Sequence, residues 1–476
     1  MQQFVTERID SFKKLALSVL KVTVEAVGKS LEAILHQLDE ELGHPGEGWE
    51  SIGKRERRLT TLFGLEIVVK RRGYRRRIEG KRETIFPLDQ ALGIRPEERF
   101  CPLVQQLAIE LATKLSFRET ALLLQDSFWV PVSHQEVHRW VTEAGQEREK
   151  EERKEVAAAF LEGQLWNHSE REVPVLVMEA DGVFISLQRE REKVVELKLG
   201  IVHEGWRQEA PGSQRYGLIG KACWGGNIST DEFWDRGMVR VMEKCDPHKI
   251  QRLILNGDGE AWIREGQEYL GAEWHLDRYH VHRAILEGLS HDPERRGKVF
   301  KALAAGDLGR LEELLEEAVA ATKEPQQRRK AEVLRQYLKA NWDGLVDWRQ
   351  RPGPQPEGAR GLGAMEGQVR HIAAARMKRR GASWSKRGAN NMLQLRLLAE
   401  MDRIRDWLES WQSRRWTQAT EKAAQAVTEE VPKRLAAAGG GEWLRATLPL
   451  LRTKAGSSPL GRALSSLSHI SSLQAC

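Results

Sequence analysis

Cysteine is scarce in this sequence: four residues, Cys101, Cys223, Cys245 and Cys476, stand among 476 without paired spacing. That excludes a disulfide framework and a zinc ribbon, and it suits a reducing cytoplasm. Long uncharged apolar runs are also missing, which excludes a bilayer-crossing helix of about 20 residues. The apolar stretch "LALSVLKVTVEAVG" is broken by Lys21 and Glu25, so it reads as an amphipathic helix and not a signal peptide. Nor does one sign of charge dominate, since 75 basic residues face 69 acidic ones and leave a net charge of only +6. Any affinity for a polyanion must therefore come from where the charges sit.

The chain is too long for one hydrophobic core, so two to four structural units are expected. Residues 1–45 carry apolar positions at helical spacing (Leu31, Ile34, Leu35, Leu38) and end in the linker-like "GHPGEGWE". Residues 50–100 read as a small basic β unit, with "RLTTLFGLEIVVKRRGYRRR" folding as an antiparallel hairpin around a glycine turn. Between Lys54 and Arg82 there are twelve lysines or arginines against three glutamates. A solvated charged face would explain them, and so would a phosphate backbone whose condensed counterions they release. Arg71, Arg72, Arg75 and Arg76 are the candidate DNA contacts on this unit.

Residues 101–150 turn helical, beginning with the stripe Leu103, Leu107, Leu111, Leu115. Two capping boxes follow, Ser116 with Glu119 and Ser133 with Glu136, separated by the turn-like "QDSFWVPV". Two helices so joined match a helix-turn-helix, with His134, Gln135, His138 and Arg139 as the side chains presented to a major groove. An ordinary helical hairpin has the same pattern.

After a charged helix to about residue 165, residues 165–285 alternate. "VPVLVMEADGVFISLQ" and "KVVELKLGIVHEG" read as three strands, followed by a helix, the buried strand "QRLILNGDGEAW", a helix, a brief strand and a helix. The order β-β-β-α-β-α-β-α is that of a ribonuclease H-like α/β domain. Residues 286–355 form a helical insertion, residues 356–400 complete the core, and residues 401–476 form a helical tail. The fold class expected is therefore α+β multidomain.

Asp181 is expected at the end of the first strand and Asp258 just after the fourth, so both acids point at one place. Buried acids need a positive partner, and hard carboxylate oxygens suit Mg²⁺ or Mn²⁺. Glu366, at a helix start after a Gly/Pro-rich loop, is the third candidate. Glu179, on the same strand face as Asp181, rivals it, and Glu260 competes with Asp258. The stretch "HLDRYHVHRA" (His275 to Ala284) resembles a zinc site, but on a helix only Asp277 and His280 share a face while His282 points away.

"MEADGV", "NGDGEAW", "LDRYHVHRA" and "MEGQVRHIAAARMKRRGASWS", together with "LDQALGIRPEERFCP" upstream, resemble the ISLre-group insertion-sequence transposases of the mutator-like DDE superfamily. The likeness spans about residues 50–395. It implies a catalytic, metal-holding triad of Asp181, Asp258 and Glu366, 77 and 108 residues apart. It also implies a supporting pair, Asp277 and His280, orienting a ligand or the DNA. Two Mg²⁺ (or Mn²⁺) ions are then expected, with terminal inverted repeats and target DNA as partners and a homodimer or larger oligomer on DNA. Arg370, Arg376, Lys378, Arg379 and Arg380 would hold phosphates near the metals, and Trp384 would stack on a base or pack in the core. A nuclease that cuts without joining, a transposase-derived DNA-binding regulator and an unrelated zinc hydrolase remain the alternatives.

Overall fold

A computed structural model describes residues 12–414 apart from 79–80, 96–97 and 164–168. Contacts divide the chain into two compact units. The first holds residues up to Ala108, Ala121–Ser133 and the described residues from Leu408; the second holds Ile109–Thr120 and His134–Trp407. The segment 101–150, expected as one domain, is shared between them. Among the described residues no helix is long and apolar enough to cross a membrane. Cys476 and most of the 401–476 tail lie outside the described residues.

In the first unit, α1 (Phe12–Glu41) packs on a three-stranded antiparallel sheet of β1 (Glu50–Thr60), β2 (Glu66–Ile78) and β3 (Lys81–Ile85), with α2 (Pro87–Ala91) behind it. The hairpin expected from sequence is thus a meander with a third strand. Leu35 and Leu38 of α1 meet Ile67, Val69 and Leu88 in a small core. Two carboxylates of α1 reach β2: Glu32 accepts from the Val68 N–H at 2.8 Å and Asp39 from the Arg72 N–H at 2.9 Å.

Helices α3 (Pro102–Ala112), α4 (Phe117–Phe128) and α5 (His134–Phe160) follow. The first capping box forms as the sequence reads: Ser116 N–H donates to Glu119 Oε2 at 3.0 Å, and Glu119 N–H donates to Ser116 Oγ at 3.2 Å. The expected turn "QDSFWVPV" is shorter than its letters suggest, because α4 runs on to Phe128.

The second unit is built on a mixed five-stranded sheet of β4 (Val175–Ser186), β5 (Val194–His203), β8 (Ala222–Gly226), β9 (Arg252–Gly257) and β10 (Glu273–Leu276), in the order β10-β9-β4-β5-β8. β4, β5 and β8 are antiparallel neighbours, whereas β9 and β10 run parallel to β4. The third core strand is therefore Ala222–Gly226, and the two segments read as three strands form only β4 and β5. A side hairpin of β6 (Trp206–Gln208) and β7 (Tyr216–Leu218) sits between β5 and β8 in sequence. Its interruption, with the shortness of β8, hides the third strand from a reading by periodicity.

Alternation along β4 sorts its two faces. Leu176, Met178 and Ala180 join a large core with α6 (Thr230–Lys244), α7 (Ala261–Leu270), α8 (Arg278–Gly288) and the inserted helices α9 (Pro293–Ala305), α10 (Leu308–Ala321) and α11 (Pro325–Ala340). Val175 and Val177 face a smaller cluster containing Trp206 and Trp348. Trp224, Trp234, Trp274 and Trp348 are among the largest fully buried side chains. Side chains of that kind contribute on the order of 1.5–3 kcal/mol each.

Two features hold the remainder. α5 packs against α13 (Lys386–Glu400), closely enough that a Cβ on Gly145 would lie 2.5 Å from the Asn391 carbonyl oxygen. α5 also meets α6 through buried ion pairs. Arg236 and Arg240 of α6 reach across to Glu149 at 2.7 Å and Glu152 at 3.2 Å on α5, and along their own helix to Glu232 at 2.6 Å and Glu243 at 2.8 Å. The charged helix seen in the sequence is therefore no solvated rod.

Candidate metal centre

Asp181 lies inside β4 and not at its end. The parallel partner leaves earlier, at the pair Glu179↔Asn256, so Asp181 stands two residues past the point where β9 stops covering that edge. The strand continues because β5 pairs it to Ser186. The Asp181 carboxylate accepts from the Gly182 N–H at 2.7 Å and keeps its other oxygen free of protein donors among the described residues. Asp258 follows β9 directly, turned by its own side chain, which accepts from the Glu260 N–H at 2.9 Å. Its carbonyl accepts from the Tyr337 hydroxyl at 2.7 Å, which ties this turn to α11 of the insertion.

Glu366 begins α12 (Ala364–Val369), a helix that passes through a π-helical turn, Arg370–Ala374. Arg396 donates to the Ile372 carbonyl at 2.9 Å and to the His371 carbonyl, satisfying acceptors in that turn. The structure brings Glu366 to Asp181, and it adds His280. One ligand atom from each of Asp181, His280 and Glu366 lies within 4.8 Å of the others. Asp258 is outside that trio, yet its charge acts on Asp181.

The electrostatics are those of carboxylates crowded together. Burial pushes the Asp181 carboxyl up to about 7, with Asp258 and Glu366 adding to the shift and His280 opposing it. Burial likewise raises Asp258, joined by the charge of Glu260. Among the described residues no lysine or arginine hydrogen-bonds to Asp181, Asp258 or Glu366. Oxygen and imidazole donors facing a shared space, without a positive side chain between them, fit a divalent ion.

Beneath the trio lies a buried polar network. Glu179 is fully buried, and its Oε2 accepts from Asn256 Nδ2 at 3.0 Å, Gly363 N–H at 3.0 Å and Met365 N–H at 3.3 Å. Its Oε1 faces His203 Nε2 at 3.4 Å. Burial alone would raise this carboxyl, but His203 and the N–H donors hold it below its ordinary value. Gly363 caps α12 with φ +117, a backbone conformation that favours glycine. Glu179 therefore serves as the acceptor that the start of the Glu366 helix lacks in its own sequence.

Asn256 extends the network: its Nδ2 donates also to Asp277 Oδ2 at 2.9 Å, and its Oδ1 meets His275 Nδ1 at 3.0 Å. Asp277 is the N-cap of α8, accepting from the Tyr279 N–H at 2.9 Å and the His280 N–H at 3.3 Å. Asp277 is thus placed to orient the helix that carries His280, while His280 itself stands with the candidate ligands. From the sequence Glu179 is a rival ligand and Asn256 goes unremarked. The available signal is a polar side chain inside an otherwise apolar strand, which must find partners.

The other histidines of "HLDRYHVHRA" do not converge. His275 is buried on β10, and His282 packs edge-on against Phe300 at 5.1 Å. Glu260 is exposed and accepts from Trp262 Nε1 at 2.7 Å.

The candidate DNA contacts divide by exposure. Arg75, Gln135, His138, Arg370, Lys378 and Arg379 are exposed. Arg71 is not: it is buried under Phe86 and paired with Asp89 at 2.6 Å, an acid that nothing local in the sequence connects to it. Arg72 is engaged by Asp39 and Glu40, Arg76 by Glu83 and the Trp49 ring, and Arg139 by Glu136 and Glu143. Trp384 is buried, its Nε1 donating to the Met377 carbonyl at 2.9 Å, so its ring packs in the core and offers no face to a base. The side chain of Arg380 lies outside what is described.

The sequence profile of the uncharacterised protein family UPF0236 matches residues 5–415. A UPF0236 protein in the vanSb 3′ region of Streptococcus gallolyticus is 29% identical over 392 residues, covering 80% of this chain and 81% of the relative. A UPF0236 protein of Caldanaerobacter subterraneus subsp. tengcongensis, whose name joins eleven loci, is 27% identical over 397 residues, covering 83% of this chain and 78% of the relative. Another from the same organism is 26% identical over 397 residues, with coverage of 83% and 78%. Among solved structures, the Drosophila P element transposase strand transfer complex matches 79% of this chain and 92% of that chain at 10% identity. Its TM-score of 0.22 is too low to bear on fold or function.

Proposed function

The chain belongs to the uncharacterised protein family UPF0236, and from its own residues we propose that it is a DDE transposase of a bacterial insertion sequence. It binds the ends of its element, hydrolyses a phosphodiester there, and joins the freed 3′-hydroxyl to target DNA. The observation that carries this reading is the convergence of Asp181, His280 and Glu366, with Asp258 coupled to them, where the parallel strand β9 ends beside β4. The sheet order β10-β9-β4-β5-β8, with three antiparallel strands followed by two parallel ones, supports a ribonuclease H-like domain. A relative named for eleven loci of one organism supports a gene that multiplies within its host.

Asp181, Asp258 and Glu366, with His280, would hold Mg²⁺ or Mn²⁺, for which two sites are proposed. Bound there, such ions supply Lewis-acid activation and neutralise charge that develops on a phosphodiester. Each chemical step exchanges one P–O bond for another, first with water as nucleophile and then with the 3′-hydroxyl. The protein's own part is placement. The Glu179 network fixes the acids relative to one another, and exposed Arg370 and Lys378 on the Glu366 helix and just beyond it position the backbone without reading sequence. Helices α4 and α5, in a helix-turn-helix reading, would present Gln135 and His138 to the element end, with Arg75 on the basic sheet as an added phosphate contact.

The test is cleavage of a duplex carrying the repeats that flank the coding sequence, with Mg²⁺. Asp181→Asn, Asp258→Asn and Glu366→Gln are each expected to lower cleavage by at least about a thousandfold while end affinity changes less than about threefold. Persistent cleavage in any variant removes that residue from the site. Cleavage without joined product on supercoiled plasmid makes the protein a nuclease.

A further inference from the structure

Away from the acids, the second unit has a cavity of about 640 Å³ whose lining includes Lys114, Phe117, Arg118, Arg376, Arg379 and Ser383. Arg376 is its most constrained cation. The residue is only 9% exposed, and its guanidinium carbon stands 5.2 Å from the Phe117 ring centre and 5.1 Å from that of Trp384. Its Nε donates to the Ala112 carbonyl at 2.8 Å. Neither terminal nitrogen has a protein acceptor among the described residues, and Lys114, Arg118 and Arg379 make no ion pair there.

Glu119 is the acid on this wall, and one of its carboxylate oxygens is already used by the Ser116 N–H. Burial, with the nearby Arg396, pushes the Arg376 guanidinium down to about 10, and the charge of Glu119 opposes that shift only in part. The Phe117 and Trp384 rings flank the guanidinium and Ala112 holds its Nε, which leaves the two terminal nitrogens for a forked, two-oxygen acceptor.

We propose that this cavity is a phosphate-binding site, Arg376 gripping the phosphate from inside while Lys114, Arg118 and Arg379 surround it from the mouth. The phosphate is one of the DNA backbone. That choice of source rests on the transposase reading, because Arg376 lies ten residues beyond Glu366 on the same helical run. The chemistry of the cavity does not rest on that reading.

Two measurements separate these claims. The first titrates inorganic phosphate into the full chain and follows the ³¹P line width. Saturable broadening in the wild type, weakened about tenfold in Arg376→Gln, is the expected result. No saturable broadening overturns the site. The second measures affinity for a mixed-sequence duplex of about 30 base pairs against salt, a length chosen to exceed one binding footprint. Arg118→Ala/Arg379→Ala, two exposed positions that leave melting unchanged, is expected to weaken binding about tenfold and to lower the salt slope by about 0.9 for each phosphate no longer neutralised.

An unchanged slope with intact phosphate broadening assigns the cavity to a free phosphate compound and overturns the backbone assignment. A wild type that binds no DNA overturns the transposase reading, and the ³¹P result then decides the cavity by itself. Should Arg376→Gln fail to fold, Lys114→Ala/Arg118→Ala takes its place in the first measurement under the same expectations.

Discussion

Glu179 shows how one carboxylate can govern the positions of others. It touches β9 through Asn256 and the start of α12 through Gly363 and Met365, while its own strand carries Asp181. Glu179→Gln turns one acceptor oxygen into a donor among N–H groups, and the loss of fit should cost about 2–4 kcal/mol. The expected outcome is a lower melting temperature together with Mn²⁺ binding weakened at least about tenfold. Unaltered Mn²⁺ affinity in a folded variant makes Glu179 a residue of stability alone. His275 gives a pH prediction. Burial, aided by Arg278, lowers its pKa to about 3. The unfolded chain therefore takes up a proton below about pH 6.5 that the folded chain refuses, and stability falls as pH drops from there towards 3. Between pH 6.5 and 5 the wild type should lose about 2 kcal/mol more than His275→Gln in urea melts. Equal losses would clear His275 of that role. Asp181, Glu366 and His280 are each visible as letters, because acids near strands and a histidine cluster stand out. The Glu179 contacts are not, since Gly363 lies 184 residues away and nothing local announces it.

Helices α5 and α6 carry their information in pairs. Arg148, Glu152 and Arg240 are all buried, with Glu152 shared between the two arginines. Both guanidiniums hold the Glu152 carboxyl down at about 2 against the effect of burial. Glu152→Leu leaves two arginines with less compensation and should destabilise by about 3–5 kcal/mol. Glu152→Leu with Arg240→Met should recover at least half of that, as read from a double-mutant cycle in denaturant melts. Additive losses would mean that the pair is not coupled. Periodicity locates both helices in the sequence. It cannot show that the charged side of α5 is covered, because charge patterns look the same whether water or a second charged helix faces them. The strand β8 escapes for a related reason: at five residues, including two glycines, it carries little alternation to read.

Across the whole molecule, the proposed metal site predicts that stability depends on divalent ions. An ion that binds the folded chain alone stabilises it by about 2.7 kcal/mol at a hundredfold excess over Kd. Mn²⁺ is therefore expected to raise the melting temperature of the wild type and to leave that of Asp181→Asn/Glu366→Gln unmoved. A shift retained in the double variant would place the ion elsewhere. The broad plan of this molecule is readable in its sequence: a basic β unit, helices, an α/β sheet and a helical insertion follow in the expected order. What cannot be read there is the division of α3 and α4 between compact units, which depends on contacts between segments far apart in the chain.

The insertion also sets a clock. Strand β10 ends at Leu276, whereas the amides that complete the Glu179 network belong to Gly363 and Met365. On a ribosome adding about 5–20 residues per second, the sheet is fully made roughly 4–17 s before the helix that closes its acidic edge. During that interval the nascent protein holds Asp181, Asp258 and His280 but not Glu366. The candidate trio is complete only once residues 277–366 have been made and the chain has returned to the sheet.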